Sequence, residues 1–468
     1  MSRAAEPSLS LANPHPPFTD TVQKIAVGIG ALGLLILLVA FVNAVPGNQG
    51  LFLTLSMSLM AIGTITFAWR AYMSLPAGIK NNGNWLSSLT SRGVQGWFWG
   101  IIITGFYVLL YFYPQYLGLN EAGNQGLVAL FDPLSQLLKG QPASQWFVYG
   151  ALYTLAILVF GFKFILKYRH NKYQVIRTIS VMFFQLGFAF LLPEFMLSMN
   201  LPYNDFKNMW PLNYYFFYDW NINGMLNAGN IGLFMIIWGI LMILVISPVL
   251  TYLYGKRWYC SWVCGCGGLA ETAGDPFRHL SDKSLRAWKI ERWLIHSVLV
   301  FVVIMTAMVL LTYFTGQSRI LFLDTYSLKS NYGFLVGAVF SGVIGVGFYP
   351  IMGSRVWCRF GCPMAAILGL QQRFFSRFRI TTNGGQCISC GNCSTYCEMG
   401  IDVRAYAQRG QNIVRASCVG CGICAAVCPR GVLRLENGHV DINMRTEELK
   451  TIHISEDQIT ILNTAAEV

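Results

Sequence analysis

Two runs near the C-terminus carry the reading: Cys387-Ile388-Ser389-Cys390-Gly391-Asn392-Cys393-Ser394-Thr395-Tyr396-Cys397, and Cys418-Val419-Gly420-Cys421-Gly422-Ile423-Cys424-Ala425-Ala426-Val427-Cys428-Pro429. Each has the spacing C-x2-C-x2-C-x3-C. Three thiolates on tight turns can hold one cubane, and the fourth reaches the cubane of the other run. The spacing assigns one [4Fe–4S] cluster to Cys387, Cys390, Cys393 and Cys428, and a second to Cys418, Cys421, Cys424 and Cys397. Gly391, Gly420 and Gly422 suit turns whose N–H groups approach sulfide. The first run departs from the pattern at one place: Glu398 stands where the second has Pro429. Zinc would take its four cysteines in paired C-x2-4-C knuckles, which this is not. Asn437-Gly438 lies between Val432–Leu435 and His439–Ile442, and reads as a hairpin within a small α+β unit over 380–445.

The chain ahead of these runs is different in kind. Of 468 residues, 54% are hydrophobic and 12% are charged, against roughly 25% charged in a soluble domain. That excludes a disordered tail protein, a collagen and a small disulfide scaffold. About eight runs reach the length of about 20 apolar residues that a hydrocarbon core needs. They lie near 24–45, 51–73, 94–117, 145–167, 175–199, 230–254, 290–315 and 331–353. With the N-terminus inside, 22 basic residues flank the inner ends and four (Lys139, Lys207, Arg319 and Lys329) fall outside. The positive-inside rule fixes this orientation: inner membrane, multi-pass, both termini cytoplasmic. The net charge of +12 is then an orientation signal, and no nucleic-acid partner is expected. Residues 1–22 read as a disordered cytoplasmic tail and not as a cleavable signal. The expected fold is an all-α polytopic membrane protein with a C-terminal α+β double-cluster domain. It divides into a five-helix membrane region over 23–229, a three-helix core over 230–372, the two-cluster domain and a tail over 446–468.

All thirteen cysteines follow residue 259 and fall on the inner side, a reducing compartment where clustered thiols bind metal. Five precede the two runs, in Gly255-Lys256-Arg257-Trp258-Tyr259-Cys260-Ser261-Trp262-Val263-Cys264-Gly265-Cys266 and Gly353-Ser354-Arg355-Val356-Trp357-Cys358-Arg359-Phe360-Gly361-Cys362-Pro363. Each segment follows a span, so the pair reads as an internal repeat of Gly-x-Arg followed by Cys-x3-Cys. Cys-x3-Cys can put both sulfurs on one helical face. Cys260, Cys264, Cys358 and Cys362 would serve a third iron centre, with Cys266 as a fifth candidate. Alternatively they pack as small hydrophobes.

On these residues, the chain resembles the membrane-bound polyferredoxin family. That family includes the quinol-oxidising subunit of periplasmic nitrate reductase systems, the nitrous-oxide reductase regulator and the cytochrome-oxidase copper-assembly ferredoxin. The resemblance covers residues 230–435. It departs from the family at Gly265, where the first motif has proline, at the added Cys266, and in the five preceding spans. It implies a quinol dehydrogenase-like subunit that moves electrons between the quinone pool and a protein redox partner. Alternatives are copper reduction during metalloenzyme assembly, through an exposed Cys260/Cys264/Cys266 group, and a redox sensor or membrane scaffold.

Quinol chemistry needs a proton acceptor. Three residues qualify by position: Glu194 near the outer end of the fifth span, His296 near the inner end of the seventh, and Glu271 after the first Cys-x3-Cys motif. The loop at 200–229 is rich in aromatics, which suits an interfacial belt or a docking surface. Gly28, Gly30 and Gly33 sit in an apolar span and not after a strand, so no nucleotide site is expected.

Overall fold

The computed structural model of the protein describes residues 20–43, 47–73, 93–320, 323–438, 451–454 and 459–462. The helices that frame the fold are, in chain order, α1 Thr21–Phe41, α2 Gln49–Met73, α3 Val94–Phe112, α4 Gln145–Lys167, α5 Lys172–Ser198, α6 Asn230–Tyr254, α7 Gly265–Thr272, α8 Leu285–Thr315, α9 Thr325–Gly347 and α10 Pro363–Phe375. All but α7 and α10 are long and apolar enough to cross a membrane, and they match the eight expected spans. Polar residues start them. Ser144, Asn171, Ser284 and Asp324 each accept a backbone N–H in the first turn of α4, α5, α8 and α9. Asp20 does the same for α1, so that helix begins inside the stretch expected as tail; residues 1–19 lie outside the described residues.

The helices α1 and α2 cross backbone to backbone. A Cβ on Gly63 would stand 2.6 Å from the Ala26 carbonyl and from the Gly30 nitrogen. Ser56 Oγ donates to the Gly33 carbonyl at 2.7 Å. Gly30 and Gly33 therefore serve helix contact, as small residues do where no hydrophobic force drives helices together.

Three antiparallel ribbons occur among the described residues. β1 Arg319–Ile320 pairs with β2 Leu323–Asp324, and β5 Thr451–Ile454 with β6 Ile459–Leu462. The last two strands lie in the stretch expected as a C-terminal tail. β3 Phe378–Thr382 pairs with β4 Leu433–Asn437, Phe378 opposite Asn437 and Thr382 opposite Leu433. The second arm of the expected hairpin, 439–442, lies outside the described residues, and the described partner of 433–437 is β3. The strand at 433–437 does form, but its partner precedes both cysteine runs. Phe378 and Ile380 are each 2% exposed, so long-range burial decides the pairing, and the ribbon ties the ends of the unit together.

This unit rests on one end of the helix bundle. Tyr173 Oη donates to the Gly420 carbonyl at 3.0 Å, Gln174 Nε2 to Cys421 O at 2.8 Å and Ser261 Oγ to Val419 O at 2.8 Å. From the other end, the segment between α5 and α6 folds back into the bundle. Met209 and Tyr218 pack in the same core as Tyr259, Cys260 and Cys264. Trp210 Nε1 donates to Thr306 Oγ1 at 2.9 Å, deep along α8. Of the loop aromatics, Phe216 and Tyr218 are interior packing, while Trp220 stands 59% exposed. Lys207, expected in an outer loop, is buried with Asp205 at 3.1 Å.

Candidate iron–sulfur centres

The two cysteine runs follow similar paths. Gly391 and Gly422 adopt φ of 79° and 75°, and each precedes a four-residue helix, Asn392–Thr395 and Ile423–Ala426. A left-handed residue there turns the chain sharply at little cost only when it is glycine. The turns sort the thiols. Cys387, Cys390, Cys393 and Cys428 line one cavity of about 350 Å³. Cys397, Cys418, Cys421 and Cys424 line a second of about 380 Å³. Four sulfurs around each void, with the fourth crossing from the other run, is the donor set a cubane requires. The first cavity lies nearer the surface, since Cys390 is exposed while Cys418 and Cys424 are buried.

The repeated Cys-x3-Cys segments are built alike. Cys264 is the N-cap of α7 and Cys362 the N-cap of α10, where Cys362 Sγ accepts from the Ala365 N–H at 3.4 Å. A helix N-terminus favours a thiolate. Cys260, Cys264, Cys358 and Cys362 are all buried in one core. Burial pushes the Cys260 thiol up to about 12, and it pushes Cys362 up further, with the neighbouring Cys358, Cys260 and Cys264 adding to the effect. Cys264 is held low by a hydrogen bond from the Cys266 thiol, which outweighs burial, with the Gly267 N–H and the Lys207 charge also helping. Cys266 correspondingly keeps its proton. Among the described residues, the Cys-x3-Cys sulfurs do not close into any triad within 4.8 Å. A lone tetrahedral ion with bonds of about 2.3 Å needs sulfurs about 3.8 Å apart. Cys260 and Cys264 are 5% and 7% exposed, so the exposed delivery group expected for copper chemistry is not what these residues form.

Buried charges join the two regions. Glu398 forms ion pairs with Arg278 Nη1 and Arg355 Nε, both at 2.9 Å, and is 1% exposed. Glu271 is held between Arg355 and Arg177. Arg355 Nη1 also reaches the Cys260 carbonyl at 3.2 Å and Cys358 Sγ at 3.7 Å. A chain of contacts thus runs from Cys397 through its neighbour Glu398 and Arg355 to Cys358. The Gly-x-Arg arginines play parallel parts: Arg257 lies 4.5 Å over the Phe378 ring and donates to Asn437 Oδ1 at 2.9 Å. Glu271 and Glu398 also approach Cys421 within 4.8 Å, but each carboxylate is committed to two guanidinium groups, so this is no metal site.

Asp275 extends the network, bonding Arg278 Nε at 2.8 Å and Lys167 Nζ at 2.7 Å. Burial alone would raise its pKa, but Lys167, Arg278 and Lys163 together hold it at about 2. A depressed carboxylate adds stability that is complete above the unfolded value, about 3.9, and is lost as pH falls through the folded one. Asp275→Asn should therefore cost about 2 kcal/mol at pH 7 and flatten acid denaturation between about pH 4 and 2, read from unfolding midpoints across that range.

Of the three quinol candidates, Glu194 is buried against Lys139 at 3.2 Å, and Glu271 is locked as described. His296 Nδ1 bonds to the Arg292 carbonyl, which puts its proton on Nδ1 and leaves Nε2 as an acceptor. Sequence reasoning marked Arg355 only as part of the Gly-x-Arg repeat, and it missed the parts played by Arg278 and Lys207. The signals available were that repeat and Glu398, the break in the Cys-Pro pattern.

Comparison with known proteins matches these regions. A family model described as a 4Fe-4S dicluster domain covers residues 386–433. Another, described as a 4Fe-4S binding domain, matches twice, at 236–284 and 333–381, once on each half of the repeat. The chain is 26% identical over 169 residues to "Putative electron transport protein YccM" of Escherichia coli, over 35% of this chain and 47% of that protein. It is 26% identical over 166 residues to "Uncharacterized protein MJ0749" of Methanocaldococcus jannaschii, over 34% and 58%. The chain spans about half the length of the curated relatives it matches. No solved structure matches. The protein is thus an iron–sulfur protein with, among the described residues, eight helices able to cross a membrane.

Proposed function

We propose that this chain passes electrons between the membrane quinone pool and a protein redox partner. Two [4Fe–4S] clusters would sit in the thiol-lined cavities, at Cys387, Cys390, Cys393 and Cys428 and at Cys397, Cys418, Cys421 and Cys424. A third iron–sulfur centre would sit at Cys260, Cys264, Cys358 and Cys362, with Cys266 as a hydrogen-bonding neighbour. The observation that carries the reading is the Glu398–Arg355 contact, which joins a ligand run of the terminal unit to the repeat at the membrane. Each cluster takes one electron at a time. Oxidation of one quinol releases two electrons and two protons, and His296 Nε2 remains a candidate acceptor. The basic residues at this end favour the cytoplasmic face of the inner membrane.

Iron and acid-labile sulfide per chain test the reading. Two cubanes give about eight irons and a third raises this to about twelve. Cys358→Ser should then return the count to about eight, with one EPR signal lost. Ubiquinol or menaquinol should reduce the clusters of the purified protein. Clusters reduced by dithionite but by no quinol would end the quinone reading, while eight irons in the wild type would end the third centre.

A further inference from the structure

A third cavity, with about 860 Å³ of empty space, lies between the first turns of α8, α10 and the segment ahead of Cys418. Lys256, Arg292, Arg359, Arg373 and Arg415 line it, against Glu291 alone. Five cations less one carboxylate leave four positive charges in excess. Glu291 is already taken by Arg359 Nε at 2.7 Å.

Two of these cations are buried and incompletely matched. Arg359 is 3% exposed; its Nη1 donates to the Asp282 carbonyl, but its buried Nη2 has no hydrogen-bond partner. Lys256 is 1% exposed, and its ammonium meets the Ala416 and Ala365 carbonyls and, among the described residues, no carboxylate. Arg292 from α8 and Arg415 from the terminal unit both lie 4.6 Å over the Trp288 ring. Like charges gathered in a partly buried site repel, and an anion between them removes the cost.

The surroundings are those of a membrane boundary. Ile295 and Leu370 form apolar wall. Trp293, Phe374 and Phe375, next in the chain to lining arginines, are 78%, 67% and 70% exposed. Exposed aromatics beside basic residues mark the headgroup level, and basic pockets between membrane helices take anionic headgroups. A neutral quinone ring would leave the four charges uncompensated.

We propose that this cavity binds the phosphate of an anionic phospholipid, with Arg359 Nη2, Arg292 and Arg415 as donors and the acyl chains along the exposed face of α8. The lipid would fasten the terminal unit to α8 beside Cys358, which also lines the cavity. Free phosphate shares the headgroup chemistry, and the chains distinguish the sources. His296, the candidate quinol proton acceptor, lines the same cavity, so the lipid and a quinol would compete for it.

The test is native mass spectrometry of the cluster-containing protein in neutral detergent, titrated with phosphatidylglycerol, phosphatidylcholine or inorganic phosphate. One phosphatidylglycerol per chain should be retained at least tenfold more tightly than phosphatidylcholine. Loss of one arginine should weaken it about fivefold, and the pair Arg292→Gln with Arg415→Gln about 25-fold. Inorganic phosphate binding as tightly as the lipid would uphold the phosphate site and reassign its source. Equal retention of both lipids, a preference unchanged in the double variant, or a quinone retained in place of the lipid overturns the proposal. Because Arg415 is three residues from Cys418, iron is counted in that variant; if iron is lost, Arg292→Gln with Arg373→Gln gives the same test away from the cysteine runs.

Discussion

Replacing Arg355 by methionine should destabilise the protein by about 3–5 kcal/mol, the usual cost of removing one partner from a buried ion pair. The guanidinium is wholly buried, and it is shared between Glu271 and Glu398. Without it, two carboxylates in a low-dielectric interior each lose a partner, and the Cys260 carbonyl loses a donor. Lysine should rescue only partly, because one ammonium cannot span two carboxylates as the planar fork does. Glu398→Pro would copy the second run, where Pro429 follows Cys428. It should preserve the iron count, since no thiol is touched, while loosening the terminal unit from the bundle. Denaturation in detergent and hydrogen exchange at 384–432 report both effects. A wild-type midpoint for Arg355→Met would refute the role of the bridge.

Stripping the iron should unfold the terminal unit while sparing the membrane helices. Between β3 and β4 the longest helix is Val403–Gln408, six residues, and the others have three or four. Helices this short are not stable alone, and a two-stranded ribbon is marginal. The unit's interior holds two voids lined by sulfur, with a small apolar core around them. Ligand binding is then folding energy for the segment. Chelation after oxidation should expose 383–432 to protease and to rapid exchange, whereas α4, α6 and α8, held by membrane and helix contacts, should stay protected. Protection unchanged after iron loss would mean that the voids are packed some other way.

The eight spans were readable because length and apolarity determine a membrane helix almost locally. Short spacings force the turns, and the four-and-four sets expected from them line the two cavities. The structural role of Glu398 was not readable, since its partners Arg278 and Arg355 come from 120 and 43 residues upstream. The burial of Lys207 was not readable for a similar reason: charge sorting puts a loop on a side of the membrane but cannot see it fold back. The pairing of Leu433–Asn437 with β3 was not readable, because Asn437-Gly438 is a strong local turn signal while β3 lies more than 50 residues upstream and is held by burial.

The graded exposure of the cysteines bears on how the protein would age in air. Cys390 and Ile388 stand at the surface, the latter 57% exposed, while the second cavity and the Cys-x3-Cys core lie progressively under protein. Oxidants reach a centre only as fast as they reach its sulfurs. Damage should therefore proceed in order, with the outermost centre bleached first and the one against the membrane last. A partly inactivated preparation would then be a population truncated at its outer contact, still able to hold electrons inside but with no exit for them.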